Sequence, residues 1–277
     1  MLTDYIKALL LGIVEGITEW LPISSTGHLI LLRPLLSLEL DSSMSSLFDV
    51  VVQLGAVCAV PVIYRKKLFS RSKQTLALYL KLIFATIPAA LIGLIADTLT
   101  EKLLGMSLDE LLFKPGIVAT ALIVYGIIFI VAETWQRNSE RSKIAADISY
   151  GKAFAIGCFQ ALALVPGTSR SGATILGARL LGTEKKSAAE FSFFAALPVI
   201  SAASVLKISD LAKEVASGSL ALPTDELKLL SVATLTAFAV SLISIRFLTD
   251  FIKRHSFAPF GIYRILLGLA VLLTLCL

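Results

Sequence analysis

The sequence predicts an all-α integral membrane protein, with about six transmembrane helices and two re-entrant helix–loop–helix hairpins in an inverted-topology repeat. Three observations carry that prediction. Of 277 residues, 56% are apolar and only 16% charged, against about 25% charged in a typical soluble domain. A chain of mean hydropathy +0.85 cannot cover its surface with polar groups, which excludes an ordinary soluble enzyme. Apolar segments of spanning length recur along the chain, and two further apolar regions are broken in the middle by Pro, Gly, Ser and Thr. Finally, the two broken regions resemble each other at a constant offset. A single membrane domain is expected, with a first repeat over 1–133, a cytoplasmic connection over 134–151 and a second repeat over 152–277.

The first broken region covers about 5–36. It lacks a basic leader and a cleavage site, so it reads as part of the mature fold. Spans follow at about 47–64, 77–97 and 116–133. The second broken region covers about 152–183, and spans at 189–208, 229–248 and 258–277 complete the set. Each is long enough to cross a hydrocarbon core of roughly 30 Å. Non-helical backbone at membrane depth is tolerated only inside protein or beside a wet cavity, so both breaks are expected in the interior. Cys58, Cys158 and Cys276 stand singly in apolar stretches and read as small core residues, with neither a disulfide nor a zinc site expected.

Basic residues orient the loops. Arg65, Lys66, Lys67, Arg71, Lys73 and Lys81 follow the first span. Arg137, Arg141, Lys143 and Lys152 fill the central connection, and Lys185, Lys186, Lys253 and Arg254 mark later turns. Loops 98–115 and 209–228 hold Glu101, Asp109, Glu110, Asp210, Glu214, Asp225 and Glu226 instead. Six spans alternate if both termini face outward, with the first hairpin entering from outside and the second from the cytoplasm. With an offset of 145, Gly12/Gly157, Ser24/Ser169, Gly27/Gly172 and Ile30/Ile175 are identical, and Glu15 faces Gln160. Phe48-Asp49 matches Phe191-Ser192, and Ala85-Thr86 matches Ala233-Thr234. Repeats of this kind place their site at the bilayer midplane.

The chemistry concentrates in the breaks. Glu15 and Glu19 share one helical face. Two carboxylates in an apolar segment cost roughly 2.5–3.5 kcal/mol each, so a divalent cation, a proton or an Arg must compensate. The plainer alternative puts Glu19 at the interface beside Trp20 and Pro22. Ser24, Ser25, Thr26, Gly27 and His28 open a second half-helix, as simple caps or as a phosphate cradle. The spacing of Ser25 and His28 suits a nucleophile and its base. Pro166, Gly167, Thr168, Ser169, Arg170, Ser171, Gly172, Ala173 and Thr174 form the second break, where glycines admit a ligand and hydroxyls and N–H groups offer donors. Arg170 supplies a planar fork suited to phosphate, or a partner for Glu15 or Glu19. Asp49 and Glu190 read as acids at span starts, and Arg264 as a snorkelling or structural residue. No nucleic-acid partner is expected, because the basic loops lack aromatic interleaving.

The run from Glu15 to His28, EGITEWLPISSTGH, resembles the N-terminal signature of the BacA-type undecaprenyl-diphosphate phosphatases. PGTSRSGAT at 166–174 resembles the second signature of that family. Phe48–Gly55 (FDVVVQLG), Glu190–Phe193 (EFSF) and the ending Phe257–Arg264 extend the likeness over nearly the whole chain. The resemblance implies a bacterial inner-membrane hydrolase that converts undecaprenyl diphosphate to undecaprenyl phosphate and inorganic phosphate. That reaction recycles a lipid carrier for cell-wall synthesis and confers bacitracin resistance. It further implies a divalent cation, Mg2+ or Ca2+, and a site opening toward the outer face. By motif, Glu15 and Glu19 match the metal-associated acids, Ser25 the nucleophile, His28 an acid/base candidate and Arg170 the phosphate-binding arginine. Direct attack by metal-activated water is the rival mechanism. A secondary transporter or lipid flippase is the rival function, and a homodimer is the assembly to check.

Overall fold

A computed structural model of the chain describes residues 2–32, 35–36, 38, 42–139, 147–217 and 224–275. Cys276, part of the central connection and the middle of loop 209–228 therefore lie outside the described residues. The described residues form helices and turns with no strand.

The first broken region is a helical hairpin. Helix α1 (Leu2–Thr18) ends before the turn at 19–24, and α2 (Ser25–Leu32) follows. The expected span at 47–64 is two helices, α3 (Ser42–Val57) and α4 (Ala59–Ile63), separated at Cys58, and the basic helix α5 (Arg65–Leu68) caps them. Helix α6 (Lys73–Leu104) starts at Ser72, whose side chain accepts from the Thr75 N–H, and stops at Gly105 in the left-handed region (φ 67°). Short α7 (Leu108–Leu112) carries a capping box between Ser107 and Glu110. Helix α8 (Pro115–Ser139) closes the first half. The chain continues with α9 (Tyr150–Ala161), a 3-10 turn at Leu162–Leu164, α10 (Arg170–Leu180), α11 (Lys185–Ala216), α12 (Thr224–Arg254) and α13 (Ala258–Thr274).

Four of these helices are long and apolar enough to cross a bilayer, within Lys73–Leu104, Pro115–Trp135, Lys185–Asp210 and Thr224–Arg254. The stretches Leu47–Ile63 and Ala258–Thr274 are shorter and apolar. At 32 residues, α6 and α11 outrun the apolar windows read from sequence. A helix rises 1.5 Å per residue, so each extends beyond a 30 Å core. Large apolar side chains such as Leu91, Leu94, Val131 and Ile243 point outward, as lipid-facing surface requires. Cys58 and Cys158 are exposed on that surface, contrary to the core positions expected.

Each hairpin packs chiefly on the opposite half of the chain, α1 along α12 and α9 along α6. Glycines permit both approaches. A Cβ on Gly12 would overlap the Ala233 carbonyl, and one on Gly157 would overlap the Ala85 carbonyl. Small residues allow such backbone approach where lipid provides no hydrophobic drive. Helices α8 and α13 meet the same way, Gly126 against Gly261, and flank the tips of both hairpins.

Candidate active site

The two turns bend alike. Ser24 (φ 70°) and Ser169 (φ 69°) are the non-glycine residues with positive φ among the described residues, and they lie 145 apart. Each directly precedes the second half-helix of its hairpin. A serine in the left-handed region costs of order 1 kcal/mol or more and persists only where its surroundings enforce it. The Ser169 hydroxyl accepts from the Gly172 N–H at 3.1 Å, which caps α10. The first residues after these bends are Ser25 and Arg170. Equivalent backbone positions thus present a hydroxyl from one side and a cation from the other.

The turns meet. Arg170 Nη2 donates to Glu19 Oε1 at 2.8 Å, and Nη1 donates to the Ser192 carbonyl at 2.7 Å. Gln53 Nε2, from α3, donates to Glu19 Oε2 at 3.1 Å. The Ser171 hydroxyl donates to the Leu21 carbonyl at 3.2 Å. Glu19 is 6% exposed and Trp20 is fully buried edge-on against Phe193, so neither sits at an interface. Glu15, also buried, lies against the Glu19 carboxyl, with Asp49 and Arg170 near enough to act on its charge. One arginine cannot neutralise two acids, and a proton or a cation must complete the balance.

Between the turns lies a cavity of about 150 Å³. Its polar lining comes from Thr18, Glu19, Ser24, Ser25, Thr26 and Gln53 on one side and Ser169, Arg170 and Ser171, with the Gly167 backbone, on the other. The Nε atom of Arg170, one of the lining residues, is buried with no hydrogen-bond partner among the described residues. An orphaned guanidinium donor beside a small polar cavity suits an oxyanion. A second, more apolar cavity of about 250 Å³ adjoins it, sharing Ser25, Thr26 and Gln53. Leu11, Leu29, Ile30, Phe48 and Phe113 line it, with Glu15 and Asp49 at its polar end. Ser25 stands where the two spaces join.

Several residues singled out from sequence stand elsewhere. His28 does not serve Ser25 in this arrangement, because both its ring nitrogens are engaged. Nδ1 contacts the Ser24 carbonyl at 2.7 Å and Nε2 the Tyr263 hydroxyl at 2.7 Å. A carbonyl only accepts, so Nδ1 carries the hydrogen and neutral Nε2 accepts from Tyr263. Thr174 is buried, bonding the Ser192 hydroxyl at 2.7 Å and the Arg170 carbonyl at 2.9 Å. Thr168 is fully buried, and Gly27 packs against Leu122 and Leu267, so neither lines the cavity. The Gly172 N–H is spent on its cap. Glu190 bonds Lys67 at 2.9 Å in a separate cavity of about 400 Å³, away from the hairpin turns. Asp49 stands mid-helix in α3, at the start of the apolar stretch Leu47–Ile63. Arg264 is fully buried, which excludes snorkelling.

Sequence reasoning missed Gln53, Ser192 and Tyr263 as site-supporting groups. Gln53 carried a signal, as an amide one helical turn after Asp49 in an otherwise apolar run. Ser192 acts partly through its backbone carbonyl, and Tyr263 pairs with a residue 235 positions away, so neither had one.

The family model described as bacitracin resistance protein BacA matches residues 8–270. An undecaprenyl-diphosphatase of Acetivibrio thermocellus is 46% identical, over 98% of this chain and 97% of its own. Undecaprenyl-diphosphatase 1 of Clostridioides difficile is 44% identical, over 98% and 96%. An Enterococcus faecalis undecaprenyl-diphosphatase is also 44% identical, over 98% and 96%.

Proposed function

The chain belongs to the bacitracin resistance protein BacA family, and from that footing we propose that it hydrolyses undecaprenyl diphosphate to undecaprenyl phosphate and inorganic phosphate. The observation that carries the reading is the Arg170–Glu19 bond across two helix breaks, beside a polar cavity that opens into an apolar one. A lipid diphosphate needs that combination: a charged head among donors and a prenyl chain along an apolar wall. The terminal phosphate fits the polar cavity, against Arg170 Nε and the hydroxyls of Ser25, Thr26 and Ser169. The first prenyl units follow Leu11, Leu29, Ile30 and Phe48.

Phosphoryl transfer asks chiefly for positioning and charge neutralisation. The Ser25 Oγ attacks the terminal phosphorus, and the bond from that phosphorus to the bridging oxygen breaks. Undecaprenyl phosphate leaves, and the Ser25 proton passes to a carboxylate, Glu15 or Glu19. Water then cleaves the phosphoserine, releasing inorganic phosphate and restoring the hydroxyl. Both ring nitrogens of His28 are engaged in this arrangement, which favours a carboxylate as the proton acceptor. Among the described residues no group of three acids or histidines gathers as a preformed metal site, so Glu15 and Glu19 would hold Mg2+ or Ca2+ together with the substrate phosphate, as Mg2+ is commonly held by one or two carboxylates plus phosphate. Such a cation would neutralise charge on the phosphate oxygens.

The positive-inside rule supports an inner-membrane orientation with α5 and its basic neighbours in the cytoplasm. Acidic loop 98–115 then lies outside. Phe113 of that loop lines the apolar cavity, so the site opens toward the outer face. The paired hairpins support an inverted repeat with halves at 1–133 and 152–277. Phosphate release by purified protein in detergent, where no compartments exist, tests the function and separates it from transport. Rapid quench with terminally labelled substrate tests the nucleophile: label on Ser25 is expected, and its absence during turnover would replace Ser25 with water.

A further inference from the structure

The buried cation Arg264 lines neither cavity of the site. It is fully buried on α13, in an apolar helix, and among the described residues no carboxylate forms an ion pair with it. A cation so placed is expensive in a membrane protein and calls for a function. Its partners are backbone atoms. Nη2 donates to the Gly167 carbonyl at 2.8 Å, and Nη1 donates to the Pro22 carbonyl at 3.3 Å. Pro22 belongs to the turn of the first hairpin and Gly167 to that of the second. One planar side chain therefore holds both breaks. Tyr125 and Phe129 of α8 receive its charge on their ring faces, 5.8 and 5.7 Å from the guanidinium carbon.

We propose that Arg264 is a positioning residue whose two-pronged fork locks the hairpin turns in register, so that Ser25 and Arg170 face one phosphate. The site's direct cross-break contacts are few: the Arg170–Glu19 pair and the bond from Ser171 to the Leu21 carbonyl. The first of these is a contact that a bound phosphate would compete for, since Arg170 must also serve the substrate. Arg264 lines neither the polar nor the apolar cavity, so its tie survives substrate entry. Its effect belongs on turnover rather than on substrate affinity, because misplacing groups by about 1 Å can cost 10²-fold in rate.

The inference rests on the phosphatase reading for its kinetic consequence only. Arg264→Lys keeps the cation but offers a point charge in place of a fork, and Arg264→Gln removes the charge. With a short prenyl diphosphate in detergent, both variants are expected to lose at least tenfold in kcat with KM within threefold. Amide exchange in peptides covering 19–28 and 165–174 is expected to quicken in both together. Restoration of kcat to within twofold by Lys, a change in KM alone, or faster exchange in only one turn would overturn the proposal. If neither variant folds, Gly172→Ala decides when read with Ser169→Ala as its control, because its Cβ would sit 3.1 Å from Arg264 Nη1 and 3.2 Å from the Ser169 side chain, and only the first contact acts on the lock. A fall in kcat at constant KM is expected there, and wild-type kcat would overturn the lock. Since exchange needs no turnover, an inactive wild type would refute the phosphatase reading and leave this tie independently tested.

Discussion

The two hairpins share a backbone and divide the chemistry. Both end a first helix, bend through a positive-φ serine and start a second helix, 145 residues apart. Both lay a glycine on a carbonyl of the opposite half, Gly12 on Ala233 and Gly157 on Ala85. At matching positions the first hairpin carries Glu15, Glu19, Ser25 and His28, and the second carries Gln160, Leu164, Arg170 and Ala173. One side is acidic and bears a hydroxyl, and the other is cationic and otherwise neutral. The difference teaches that the shared frame brings the turns together, while a reaction needs the frame to be chemically lopsided. Two copies of the first hairpin would gather four acids with no arginine. Two copies of the second would gather two arginines with no acid at the matching positions.

Removing the cationic side breaks the comparison most severely. Arg170→Ala is expected to cut kcat/KM by about 10³-fold, the range for deleting a phosphate-clamping arginine or a fixed donor. It also leaves Glu19 with Gln53 alone, so phosphate release should be measured beside a folding control. Making the first hairpin resemble the second is the next largest change. Glu15→Gln is expected to lower kcat by about 10²-fold and to weaken the dependence of rate on divalent cation, read by titrating Mg2+ into chelated enzyme. An unchanged cation dependence would remove Glu15 from the metal set. The reverse exchange, Gln160→Glu, buries an acid facing the Ala85 carbonyl in place of an amide donor and is expected to act on stability, by about 3 kcal/mol.

The frame was largely legible in the sequence, and the site only partly. Apolar periods mark the long helices because lipid forbids polar side chains on their outer faces, and Pro22 and Pro166 mark the breaks for the same reason. Span ends were misjudged because α6 and α11 continue past the apolar window into the polar surroundings. Glu15, Glu19, Ser25 and Arg170 stood out as polar groups in oily surroundings. The partner of His28 was not legible, because helical spacing to Ser25 says nothing of a tyrosine arriving from α13. Arg264 misled for a similar reason. Its partners are backbone carbonyls, and every residue type has one.

Smaller effects test how alike the frames are. Gly12→Ala and Gly157→Ala each force a methyl onto a carbonyl and are expected to destabilise by similar amounts, about 1–3 kcal/mol, in thermal unfolding in detergent. A wide gap between the two would mean that one hairpin is anchored by something the other lacks. The mildest predicted change falls on a real asymmetry of that kind. At Ser24 the carbonyl accepts from the His28 ring, which Tyr263 holds from the other side. At Ser169 the carbonyl serves the Ala173 N–H of its own helix, and no ring is present. Tyr263→Phe removes one hydroxyl donor, worth about 1 kcal/mol, and should lower kcat only several-fold. His28→Ala removes the whole brace and should cost more than Tyr263→Phe. Equal losses would mean that the ring acts only through the tyrosine. An acidic limb of the pH–rate profile, where rate falls as the proton acceptor becomes protonated, that persists in His28→Ala would assign proton transfer to the carboxylates, and its disappearance would return His28 to the reaction.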